Sequence, residues 1–405
     1  MIDLAQEFPG TTRSGRNVAL RFTEAEYRAR QACTRAALRA RGLDAILIFA
    51  QESHFYLTGF DTAGYVFFQV GIVTADEEGA TSLLTRTPDR RQAETNSLYD
   101  EVRIWLNAED ANPAMDLRAL LAERGLQGGK VGVEFATYGL TAANGRMVEA
   151  ALTGFCTLED ASDIVRSQRL VKSPSELNLV RAAGRLADAA TMAAIEIARP
   201  GVFDTALSGA AVTAMLAGGG DLPSGGPLVN VGPRALFGRG IGGARRIEVQ
   251  DQVLIELAAS ACRYHVVVEH TAAVGAVDPR QERQMAVAIE ALEKIKEAAR
   301  PGARLGTLDD IHRATLDGAG FADARYAACG YALGCTFKPT WMDVPPMIYS
   351  GNPLVLEPGM VFFVHIMIPD TATGLVAGVG QTFAIGGDGQ GPETFSALPL
   401  HLWRA

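Results

Sequence analysis

QVLIELAASACRYHVVVEHTAAVG, running from Gln252 to Gly275, decides the reading of this chain. It divides into two β-branched, apolar runs, QVLIELAA and YHVVVEHTAAV, joined by a short turn at Ser260–Arg263. Such runs suit strands buried on both faces. Each nevertheless carries groups that an apolar interior penalises: Glu256 in the first, and His265, Glu269 and His270 in the second. A buried carboxylate or imidazole is costly unless paired. Period-two alternation puts His265, Val267 and Glu269 on one face and His270 on the other. The polar positions are either a buried ion pair or one wall of an active site.

Composition narrows the classes. A chain of 405 residues holds two or three domain-sized units, and 48% apolar residues supply sizeable cores. No apolar run approaches the roughly 20 residues that span a bilayer. The opening MIDLAQEFPGTTRSGRN lacks the charged-then-apolar layout of a signal peptide, so a cytoplasmic location is expected. The five cysteines are scattered without a C-x-x-C pair, which excludes a zinc ribbon or a disulfide framework; most are expected to be small buried hydrophobes. A net charge of −9 and the lack of a dense Lys/Arg stripe argue against nucleic acid.

Along the chain, the first twenty residues read as a loose arm. TEAEYRARQACTRAALRARG follows as an amphipathic helix capped by Thr23 and stopped by Gly42. Strands and helices then alternate: DAILIFA, a turn and FYLTGF, YVFFQVGIVT, TSLLT, a helical stretch, EVRIWL, MDLRALLAERG, KVGVEF, TAANGRMVEAAL and FCTLEDAS. This is the pattern of an α/β domain with a mixed sheet, placed at residues 1–165. Ser173-Pro174-Ser175-Glu176 combines an N-cap, a first-turn Pro and a third-position Glu, a strong helix start. That helix closes on Pro200-Gly201 and is followed by one over Asp204–Ala217. A second helical pair, Arg280–Arg300 and Thr307–Gly318, again breaks at a Pro-Gly, Pro301-Gly302. Two such units, each followed by a strand pair, point to an internal duplication within residues 166–405.

RLVKSPSELNLVRAAG, DQVLIEL, YHVVVEHTAAVG, CGYALG and LEPGMVFF occur in an order and spacing that resemble the pita-bread proteins: methionine aminopeptidase, aminopeptidase P, prolidase, creatinase and ectoine hydrolase. FYLTGFDT and the closing QTFAIGGDG resemble the two-domain creatinase and aminopeptidase P branch. The resemblance implies an α/β N-terminal domain followed by an α+β pita-bread, creatinase-like domain. The family's peptidases hold two divalent metals with Asp, Asp, His, Glu and Glu. Here those positions fall on Glu256, Val267, Tyr331, His365 and Gln381, or Gly380 if the register slips by one. Such a set lacks the bridging carboxylates that paired hard cations need, so neither a metal nor a cofactor is expected. Creatinase and ectoine hydrolase split C–N bonds with protein side chains alone. By that resemblance Glu269 matches the carboxylate that grips a guanidinium-like group. The family's upstream His has its nearest counterpart in Phe237, and a carboxylate-holding N-terminal Arg aligns with Phe68, beside Gln69. In that branch a partner subunit completes the pocket, so a homodimer is the expectation.

The candidate catalytic residues are therefore Glu269, His265, His365 and Tyr331, with His265 or His365 activating water and Tyr331 steadying an oxyanion. Glu256, Gln381, Phe237, Trp341, Phe68 and Gln69 are the candidates for substrate binding. Crowding of Glu256 against Glu269 is expected to raise one carboxyl into a general acid/base range. Trp341 and Asp343 belong to a Pro-rich flap, TFKPTWMDVPPM. His270 is assigned a structural role, and His54, His312 and His401 a surface or local one. Cys335 follows GYALG, but nothing nearby in sequence lowers its pKa to make it a nucleophile. GRGIGG (Gly238–Gly243) satisfies G-x-G-x-x-G, yet no helix follows to cradle a phosphate, and AGGGDLPSGGP (Ala217–Pro227) reads as a flexible connection. The function expected is metal-independent hydrolysis of a C–N bond in a small amide, amidine or cyclic compound. The alternatives are a silent peptide- or protein-binding module, or a lyase or cyclase on the same scaffold.

Overall fold

The computed structural model describes residues 11–12, 19–387 and 389–405. Most of the loose arm expected over the first twenty residues lies outside them. The described residues divide into two compact units, with the boundary between Arg169 and Leu170.

The first unit is a six-stranded mixed sheet in the order Glu101–Trp105, Ser82–Arg86, Val70–Thr74, Ala45–Ile48, Lys130–Val133, Thr157–Asp160. Its first helix, Glu24–Arg41, starts where Thr23 accepts from the Glu26 amide and stops at Gly42, whose φ of 68° is left-handed. FYLTGF is not a separate extended run but the end of a helix, Gln51–Thr58, closed by a left-handed Gly59. YVFFQVGIVT is a strand only from Val70 to Thr74, after a 3₁₀ turn over Gly64–Val66. His54 is not at the surface. It is fully buried, and its Nδ1 lies 2.6 Å from the Tyr99 hydroxyl.

Among the described residues, the second unit carries four α-helices and a nine-stranded sheet. The helices are α1 (Pro174–Glu196), α2 (Asp204–Ala217), α3 (Pro279–Ala298) and α4 (Leu305–Gly318). The strands are β1 (Leu228–Val231), β2 (Gln252–Ala261), β3 (Tyr264–Ala273), β4 (Ala328–Ala332), β5 (Met347–Tyr349), β6 (Val361–Asp370) and β7 (Leu375–Ala384). The sheet order is β5-β4-β6-β7-β3-β2-β1, with short strands added at Glu393–Thr394 and Trp403–Arg404. The start of α1 is a complete capping box: Ser173 accepts from the Glu176 amide, and Glu176 accepts from the Ser173 amide. The β2–β3 turn is tighter than expected, just Cys262 and Arg263, both with positive φ.

The order has an internal symmetry. The run β1-β2-β3 meets β4-β6-β7 at a central β3–β7 contact, where Glu269 pairs with Gly380. Each half is preceded by a helix pair, as the duplicated Pro-Gly breaks predict. Alternation along β6 then sorts the layers. Phe362, Val364 and Ile366 pack with Leu292 and Ile295 of α3 and Leu308 and Leu316 of α4, all buried. Each such side chain contributes about 1.5–3 kcal/mol by leaving water. Phe363 and His365 point to the opposite face, where the polar groups collect.

Two of the five cysteines, Cys329 and Cys335, are buried; Cys156 and Cys262 are partly buried, Cys33 is exposed, and all five are free thiols. Among the described residues no helix is long and apolar enough to cross a membrane.

Candidate active site

Cross-strand register draws one row of residues over five strands. Leu228 of β1 pairs with Glu256 of β2, Glu256 with Glu269 of β3, Glu269 with Gly380 of β7, and Gly380 with His365 of β6. Directly paired residues share a face, so all five look the same way. Tyr331 of β4 joins them through its pairing with Phe363, two residues before His365. A cavity of about 600 Å³ opens over this row, lined among others by Glu256, Tyr331, His365, Tyr326 and Trp341.

Two polar chains cross its floor. In one, the Trp341 indole Nε1 donates to the Tyr331 hydroxyl at 2.7 Å, and that hydroxyl donates to Glu256 Oε1 at 3.4 Å. In the other, His365 Nδ1 lies 3.3 Å from Glu269 Oε2, an ion-pair contact in which the carboxylate oxygen has no well-aligned donor. Phe363 stacks on the imidazole at a centroid distance of 5.2 Å. With Nδ1 turned to Glu269, His365 keeps Nε2 for the cavity.

The electrostatics separate the two chains. Burial raises the Glu256 carboxyl to about 7; the His365 charge opposes this and the Glu269 charge adds to it. For His365, burial alone would lower the pKa, but the Glu269 carboxylate outweighs it and the imidazole sits above its ordinary value. Tyr331 is held well above the usual phenol range, by burial first and the neighbouring Glu256 second. The site thus pairs a carboxyl shifted toward neutrality, suited to taking a proton, with an imidazole whose hold on its proton is strengthened, suited to giving one.

Of the residues expected here, Glu256, Glu269, Tyr331, His365 and Trp341 come together. Four others lie elsewhere, and His265 is the first correction. It shares the face of Glu269 but sits four residues along β3, fully buried, where Nε2 accepts from the Ser224 amide at 3.1 Å and Nδ1 lies 3.1 Å from the Thr336 hydroxyl. Burial lowers its pKa to about 4, so it is neutral. It braces the loops that carry Gly225 and Trp341 and does not reach the cavity. Gln381 is the second: it pairs with Val364, points to the helical layer, and accepts from Lys296 of α3 at 3.0 Å. Gly380 holds the inward position. Phe68 and Gln69 are core residues of the first unit. Phe68 packs against Phe49, and Gln69 is buried between Gln51, to which its amide donates at 3.0 Å, and Thr85. Phe237 is mostly exposed and does not line the cavity itself, though it precedes the loop residues that do.

That loop is what the sequence reading passed over. Gly238, Arg239 and Ile241 of GRGIGG, and Gly225 and Gly226 of AGGGDLPSGGP, line the cavity. The element that follows Gly243 is indeed a strand and not a helix, but that local reading said nothing about long-range packing. Tyr326, 6.5 Å from the His365 ring centroid, had no signal beyond its residue type.

Among the described residues, one trio of potential metal donors meets within 4.8 Å: Asp309, His312 and Cys329, all buried. His312 is thus not a surface residue. Asp309 is already engaged by His312 Nδ1 (3.1 Å), Arg313 Nε (2.7 Å) and the Ser350 amide (3.0 Å). The trio is a structural brace on the helical side of the sheet.

Comparison with known proteins agrees with this architecture. The model of metallopeptidase family M24 matches residues 178–386, and that of the creatinase/prolidase N-terminal domain matches residues 30–171. An uncharacterized hydrolase/peptidase, y4tM of Sinorhizobium fredii, is 28% identical over 394 residues, covering 95% of this chain and 98% of that protein. Ectoine hydrolase of Halomonas elongata is 27% identical over 367 residues, covering 86% of this chain and 90% of its own. Among solved structures, prolidase from Thermococcus sibiricus superposes with a TM-score of 0.84 at 20% identity, covering 94% of this chain and 99% of that one, a likeness of fold. The expected α/β N-terminal domain and pita-bread domain are both present, and the chain belongs to metallopeptidase family M24, a family of hydrolases.

Proposed function

We propose that this chain hydrolyses a C–N bond in a small amide, amidine or cyclic compound, using side chains in place of a metal pair. The observation that carries the reading is the pairing of Glu256, raised to about 7, with a His365 whose pKa the neighbouring Glu269 raises, on one row of one cavity. In the reaction Glu256 takes a proton from water as the water oxygen bonds to the substrate carbon. The C–N bond then breaks as the departing nitrogen takes a proton from His365 Nε2. Trp341 and Tyr331 hold the Glu256 carboxyl in place. A small substrate suits a cavity of about 600 Å³.

Two divalent cations do not fit the donors present. Of the five equivalent positions, Val267 and Gly380 offer no ligand atom, and the Tyr331 hydroxyl is committed to Trp341 and Glu256. Glu269, the one added carboxylate, is directed at His365. One carboxyl and one imidazole remain, short of the bridging carboxylates that such a pair requires. The reading includes a homodimer, as the resemblance to creatinase implies. Sedimentation showing only a 43.0 kDa species would remove the dimer.

The test is a screen of cyclic amides, amidines and N-acyl amines for amine release, run before and after exhaustive dialysis against a chelator. Turnover is expected to survive dialysis and to fall by about 10²–10⁴-fold in Glu256→Gln and in His365→Ala. Turnover lost on dialysis and restored by a divalent metal would overturn the proposal.

A further inference from the structure

We propose that Arg239 is the specificity-determining residue of this cavity, selecting substrates with a carboxylate at the end remote from the bond that breaks. The inference rests on reading the cavity as a substrate site. Arg239 lines the cavity, and among the described residues its guanidinium has no hydrogen-bond or ion-pair partner. Its charge is felt by the Glu256 carboxyl, which it draws downward.

The segment carrying it is built to hold a fixed course. At its base the fully buried Asp204 binds both ends of the loop. Its carboxylate accepts from the Arg234 guanidinium on the way out, and from the Gly243 amide at 2.9 Å and the Arg245 amide at 3.3 Å on the way back. The two glycines flanking Arg239 run against the unit. A Cβ at Gly238 would strike the Tyr326 hydroxyl, and one at Gly240 would strike Asn230 Oδ1. A side chain at either position would force Tyr326 or Asn230 to shift, and Arg239 between them lines the cavity.

The charge layout then sets the orientation of a ligand. On the floor Glu269 is paired with His365, and Glu256 is the remaining negative group once its proton has left, while the exposed Arg239 is the planar, two-pronged cation that pairs with a carboxylate. A molecule with a carboxylate at one end and the reacting nitrogen at the other is therefore held carboxylate-outward, its C–N bond over Glu256 and His365.

The probes are N-acetylglycine and its neutral analogue N-acetylglycinamide, matched in size, titrated against the full-length protein by ligand-observed NMR. The acid is expected to bind wild-type protein at least about tenfold more tightly than the amide. Arg239→Gln should bring the acid down to the amide's affinity and leave the amide unchanged, with Arg239→Lys between the two. Equal affinities in the wild type, a preference that survives Arg239→Gln, or no binding of either probe would each overturn the role of Arg239. Failure of the hydrolase reading looks different: the acid preference and its loss in Arg239→Gln would remain while no screened compound is turned over.

Discussion

Glu256 and His365 make the clearest claim at the scale of single residues, because both hold protons more tightly in the folded chain than in the unfolded one. For Glu256 the folded value of about 7 lies above the unfolded 4.5. The native state is therefore favoured while the proton is present, and that contribution is lost as pH rises from about 4.5 through about 7. The swing is about 3 kcal/mol. Glu256→Gln should remove this loss, so urea midpoints of wild type and variant should diverge steadily across that interval. If they run parallel, the carboxyl is not raised. His365, held above its ordinary 6.5, works in the same sense: its contribution is present in acid and fades as pH climbs past its folded value. Activity should trace a bell, rising as the coupled pair loses its first proton and falling as it loses its second. Glu269→Gln removes the charge that raises the His365 pKa, and should move the alkaline limb to lower pH. An unmoved limb would show that Glu269 does not tune His365.

Elements explain what could and could not be read from the sequence alone. Helix starts were legible because their signals are local: Thr23 and Ser173 each sit three residues ahead of the amide they cap. Ser173→Ala should cost about 1 kcal/mol by chemical denaturation, and a change within error would mean that the cap contributes nothing. Strand parity was equally legible, placing Glu269 and His265 on one face. Parity gives a face and not a location, so it could not tell that His265 lies four residues from the active row. Gln381 and Gly380 show the converse. A one-residue choice of register turns a side chain from the cavity to the helices, and a sequence without its partner strand does not settle that choice. The cavity's loops were the least legible, since Arg239 reaches its place through Asp204, Asn230 and Tyr326, all distant in sequence. Asp204→Ala should leave the fold intact but free residues 234–245. Faster proteolytic cleavage within that segment is the expected sign, and an unchanged cleavage pattern would mean that Asp204 does not clamp it.

At the scale of the whole molecule, the duplication foreseen from the paired Pro-Gly breaks has a chemical outcome. Glu256 is the fifth residue of the ten-residue β2, and His365 is the fifth of the ten-residue β6. Glu269 and Gly380 are likewise each the sixth residue of their ten-residue strands, β3 and β7. The base and the acid thus occupy equivalent places in the two halves, while the central pair has diverged into a carboxylate and a glycine. Gly380 clears the space that the His365 and Phe363 side chains fill, which a Cβ would invade. Gly380→Ala should therefore impair turnover and lower stability together, measured as kcat and melting temperature on the same preparation; a variant indistinguishable from wild type in both would show the space is not needed. A molecule that works without cations should also melt at the same temperature before and after chelation, because a bound ion stabilises by mass action and its removal would show.

The division of labour between ladder and loops has its own consequence. Proton-handling groups are pinned to backbone rungs, where a slip of one position would disable them. The parts that greet a ligand, around Arg239 and Ile241, ride on a connection that no rung constrains. New diets are then open to this scaffold through edits to its rim, leaving the machinery beneath untouched.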